Sequence, residues 1–101
     1  MTQTERIEQM EHFLDEAAMA ARGLSAALDR YAAAQEAVKA LDAYYGSDEW
    51  KADLLADEQG RLPAGLKRGV LSEDAAWNVL DECRELNIRM LETVTEILKT
   101  T

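Results

Sequence analysis

Apolar residues in the first half of this chain recur at steps of three and four, and that rhythm constrains the fold more than any other feature. From Ile7 it runs through Met10, Leu14, Ala17, Ala21, Leu24, Leu28 and Tyr31, and Val38 resumes it after Gln35 breaks it. A further column, Phe13, Ala20, Ala27, Ala34 and Leu41, lies beside these two. Two columns make a narrow coiled-coil seam, whereas three make the wider stripe of a bundle helix. With Thr4 able to cap the start and Gly46 placed to end it, the pattern predicts one helix over about 4–45. Such a helix is about 60 Å long at 1.5 Å per residue. Gly23 falls inside it among good helix formers and reads as a point of close approach.

A second rhythm closes the chain. Ser72 is a natural N-cap, Glu73 and Asp74 fall where the helix dipole favours anions, and Ala76, Leu80, Cys83, Asn87, Met90, Val94 and Ile97 form a stripe. Trp77, Leu91 and Leu98 flank it, and the helix is expected over about 73–99. Asn87 either sets register in the seam or faces out. Between the two long helices, Ser47 opens a short one over about 48–58, with Trp50, Leu54 and Leu55 on its apolar face, and Gly60 stops it. Residues 59–71 hold two glycines and a proline within Arg61–Gly69, so they form a loop. Leu62, Leu66, Val70 and Leu71 need cover, and the loop should lie down on the helices. The fold class is all-α: a long antiparallel helical hairpin with a short third helix and a structured loop packed at one end, in a single domain spanning 1–101.

The joint from Tyr44 to Asp74 collects four of the five glycines, the single proline, two of three tyrosines and one of two tryptophans. Glycine, proline and aromatics gathered together describe a packed turn. Tyr44, Tyr45, Trp50 and Trp77 are amphipathic anchors, suited to filling a joint in an alanine-rich chain or to making contacts. As core residues, Trp50 and Trp77 would bury their rings and send each indole N–H to a carbonyl or carboxylate. Alanine supplies little area to bury, so the core should be thin.

Charge is uneven along the chain. The total is −9, with net −4 over residues 1–46, −4 over 47–60, +3 over 61–72 and −4 over 73–101. This balance argues against direct nucleic-acid binding and against anionic membranes and suits basic protein partners, while the thin core invites a second copy of the chain in a homodimer. Cys83 is alone, no apolar run approaches a membrane span, and no signal-peptide pattern opens the chain, so the expected compartment is the cytoplasm.

No constellation for catalysis, cofactor or metal emerges. His12, the single histidine, falls opposite the stripe; Glu8 and Glu16 flank it, but no Glu-x-x-His unit and no second histidine complete a metal site. Cys83 sits on the apolar stripe without a base, and Ser47 and Ser72 are explained as caps. Lys67 and Arg68 precede the capped start of the last helix and resemble an anion cradle. Against this, Glu73 and Asp74 already occupy the positive helix end, and Asp53, Asp57 and Glu58 offer internal ion pairing. The candidate interaction or anion site is therefore Tyr44, Tyr45, Trp50, Lys67 and Arg68, with catalytic, cofactor and metal residues none.

Tyr44-Tyr45-Gly46-Ser47, Trp50, Asp53, Gly60, Leu62-Pro63 and the run Leu66-Lys67-Arg68-Gly69-Val70-Leu71-Ser72-Glu73-Asp74 together resemble the hallmark of a family of small bacterial proteins, domain of unknown function 4298. The resemblance covers essentially the whole chain and implies a bacterial cytosolic all-helical protein with no assigned activity, cofactor or catalytic residue. Function reduces to two expectations. One is a protein–protein interaction module that self-associates, with an acidic mimic of nucleic acid as a variant. The alternative is a small-ligand or anion-binding protein using the Lys67/Arg68 loop and nearby aromatics.

Overall fold

The computed structural model describes residues 1–101 and is all-α. Its helices are α1 (Gln3–Ala33), α2 (Gln35–Tyr44), α3 (Asp48–Glu58) and α4 (Glu73–Lys99), with a 3-10 turn at Gly69–Leu71. The chain expected as a single domain divides into two compact units, Met1–Glu36 and Ala37–Thr101.

The first unit is essentially α1. Its N-cap is Thr2, not Thr4: the Thr2 hydroxyl oxygen accepts from the Glu5 amide at 3.1 Å and its O–H donates to the Glu5 carboxylate at 3.0 Å. The reason lies three residues on, because Thr2 has Glu5 to complete a reciprocal cap and Thr4 has only Ile7. The helix expected over about 4–45 is two helices, parted at Ala34. There the Gln35 side-chain amide donates to the Tyr31 carbonyl at 2.9 Å, taking an acceptor that a continuing helix would use. Gln35 is also where the apolar rhythm falters. No residue of α1 is buried, and a Cβ placed on Gly23 would meet nothing within 4 Å, so Gly23 does not mark a close approach.

The second unit holds the core: Trp50, Leu71, Ala76 and Leu80. It is thin, as an alanine-rich chain predicts, and one side chain from α3, one from the 3-10 turn and two from α4 build it. Within this unit α2 and α4 make an antiparallel hairpin. The Tyr45 hydroxyl donates to the Glu73 carbonyl at 2.9 Å, and Asp42, nearer the chain start, meets Arg84 farther along α4 at 3.3 Å. Ser47 and Ser72 cap α3 and α4, each hydroxyl oxygen accepting a backbone N–H at 3.1 Å. Gly60, at φ +69, ends α3: its N–H donates to the Asp57 carbonyl and the Arg61 N–H donates to that of Ala56, the paired bonds of a left-handed helix stop.

Burial fades along the stripe of α4. Ala76 and Leu80 are buried, Cys83 and Met90 are half-buried, and Asn87, Val94 and Ile97 are exposed. In the loop, Leu71 is buried, Leu62 and Val70 are half-buried and Leu66 is exposed; Leu55 of α3 is exposed as well. No helix is long and apolar enough to cross a membrane.

Candidate functional site

α3 presents two carboxylates one turn apart, Asp53 and Asp57, and each engages a different part of the joint. The Tyr44 hydroxyl donates to Asp53 Oδ2 at 2.6 Å. Arg68 Nη1 meets Asp57 Oδ1 at 2.6 Å, its Nη2 donates to the Pro63 carbonyl at 2.6 Å and its Nε to the Leu66 carbonyl at 3.3 Å. One guanidinium thus ties the loop to itself and to α3, as the planar fork of arginine permits and a lysine ammonium does not. The hydrogen bond to Asp53 raises the Tyr44 hydroxyl to about 12, with burial and the Asp53 and Glu49 charges adding to the effect. Tyr44 is accordingly a fixed donor at neutral pH.

Trp50 sits at the centre. The residue is 9% exposed, its indole N–H donates to the Val70 carbonyl at 3.0 Å, and the Tyr45 ring meets its ring edge-on with centroids 5.1 Å apart. That carbonyl belongs to the 3-10 turn Gly69–Leu71, which turns the chain into the Ser72 cap; the Leu71 N–H donates to the Arg68 carbonyl at 2.9 Å. Four of the five candidate residues, Tyr44, Tyr45, Trp50 and Arg68, are therefore drawn into one bonded joint. Lys67 is not: it is exposed and joins none of the ion pairs. Trp77, grouped with Trp50 as a core ring, is instead 51% exposed. Ala76 and Leu80 take the buried direction of α4, and the next residue after Ala76 is turned about 100° away from it.

The polar groups of the joint spend their bonding capacity on one another. No buried side-chain nitrogen or oxygen is left without a partner. No group of three or more His, Cys, Asp or Glu side chains is placed to hold a metal ion. His12 lies exposed on α1 beside the Phe13 ring. The pairing of Tyr44 with Asp53 escapes sequence reasoning; its only trace is that a tight glycine turn separates a tyrosine from a carboxylate on the next helix. Arg68 finds Asp57, one of three acids that charge alone nominates.

The model of a protein family described as a domain of unknown function, DUF4298, matches residues 7–93. No curated protein and no solved structure matches the chain.

Proposed function

The chain belongs to the DUF4298 family, whose description carries no activity, and from its own residues we propose that it is a protein–protein interaction module that self-associates. The observation that carries this reading is the exposed apolar stripe of α1, a helix of 31 residues without one buried residue. Helices in water draw most of their stability from packing an apolar face, so such a stripe calls for a partner surface. In this reading the joint is scaffold: Trp50, Tyr45 and Arg68 hold α3, the loop and α4 in one geometry, and the molecule acts by contact, not catalysis. A net charge of −9 favours proteins over nucleic acid or anionic membrane as partners, and a single cysteine, with no second one to form an internal disulfide, suits the reducing cytoplasm.

Sedimentation of the full chain across the micromolar range tests the proposal. A species heavier than one chain, growing with concentration, is the expected result. A clean monomer at the highest concentration removes self-association, and capture experiments returning no stoichiometric partner would then leave contact without support.

The second reading, an anion site at Lys67 and Arg68, rests on the exposure of Lys67 beside the Ser72-capped start of α4. It ranks lower because all three guanidinium nitrogens of Arg68 bond to the chain itself. Stabilisation by inorganic phosphate or nucleotides that Lys67→Ala abolishes would promote it over the first.

A further inference from the structure

We propose that α1 pairs with α1 of a second copy of this chain, antiparallel, about a two-fold axis level with Met19. This rests on the interaction reading above and adds to it the partner, the surface and the direction.

The first support is the exposed seam. Leu14 and Leu24 stand 60% and 58% exposed on α1, and the steps between successive apolar residues from Ile7 to Tyr31 alternate strictly between three and four. That alternation averages 3.5 residues, the repeat that keeps one seam facing a partner helix along its length. The second support is size. A reversed copy centred on Met19 brings Met10 level with Leu28, Leu14 level with Leu24, and Ala17 level with Ala21. Large residues meet large ones toward both ends, and small residues meet at the middle, where two helices can approach closely.

Charge selects the direction. Residues 3–17 carry five acids and one base, net −4, while residues 18–33 carry two bases and one acid, net +1. A parallel copy sets the −4 half beside another −4 half. An antiparallel copy sets it beside the +1 half and so removes the closest like-charge repulsion along the seam. The seam residues themselves, from Ile7 to Tyr31, carry no charge, so no like charges enter the contact itself.

The test uses the full chain with Cys83→Ala and Gln9→Cys, a nitroxide on residue 9, and dipolar spectroscopy on the dimer. Antiparallel pairing about Met19 places the two labels twenty residues apart along the helix axis, so a distance of about 30 Å or slightly more is expected. A distance below about 20 Å means a parallel pair and overturns the proposal. In parallel, Leu14→Glu with Leu24→Glu is expected to weaken dimerisation by about 100-fold or more, because carboxylates would enter the seam. Unchanged tryptophan emission would show that the Trp50 core, in the other unit, is still folded. A double variant that dimerises like the parent overturns the proposal yet leaves self-association standing, with another surface such as the exposed end of α4 as its seat. A parent chain that stays monomeric overturns both.

Discussion

At the scale of single residues, Trp50 carries the most weight. It is the largest of the four buried side chains, it receives the Tyr45 ring, and its N–H reaches across to Val70. Trp50→Ala should destabilise the chain by about 3–5 kcal/mol in urea unfolding, the usual cost of deleting a large buried aromatic. Trp50→Phe, which keeps a ring and loses the bond, should cost less; equal losses would mean that the hydrogen bond, not the packing, matters most. Tyr44 makes a separate prediction about pH. Its folded hydroxyl titrates near 12, above the ordinary value of 10, so the folded state holds that proton more tightly. The stabilisation is full below about pH 10 and is lost as pH rises from there through about 12. Ultraviolet titration should show a late tyrosine ionisation, and Tyr44→Phe should remove that late step. If the late step survives in the variant, the bond to Asp53 is not its source.

At the scale of elements, the ends of the helices are better specified than their faces. Ser47, Ser72 and Gly60 each do in the structure what their residue types predict: two hydroxyls cap, and one glycine takes a positive φ. Gly60→Ala should cost about 1 kcal/mol, all of it conformational, because a Cβ there meets nothing within 4 Å. Gly65→Ala provides the control, since Gly65 also has open space but is not among the positive-φ glycines. It should be neutral or slightly stabilising in the same thermal melt. The loop depends on Arg68 in a way composition hides. Arg68→Ala should cost about 1–3 kcal/mol through its charge-assisted bonds, and Arg68→Lys should recover only part of that. A full recovery by lysine would mean that charge alone, not the three-way fork, secures the loop.

At the scale of the whole molecule, charge separates the possible partners. Two chains of −9 repel, so self-association through an apolar seam should tighten as salt rises from about 20 to 150 mM and screens that repulsion. Binding to a basic partner by an acidic face should weaken over the same range. Sedimentation at both ionic strengths checks this, and a dimer that loosens with salt would argue that ion pairs hold it. The all-α class, the existence of the short helix and the two serine caps were legible from the chain alone, because periodicity, capping and glycine act over three to seven residues. So was a thin core, which follows from alanine content. Local chemistry also contained the Thr2 cap and the Gln35 interruption, though choosing them required weighing Glu5 against Ile7 and a side-chain amide against the backbone it displaces. What only tertiary structure decided is which members of each stripe are covered: Trp50 inside and Trp77 outside, Leu80 buried and Val94 exposed. It also decided that Arg68 takes Asp57 while Lys67, its neighbour, takes no acid. Periodicity states which face of a helix is apolar, but burial depends on what arrives opposite it, and that is set by contacts between residues distant in sequence.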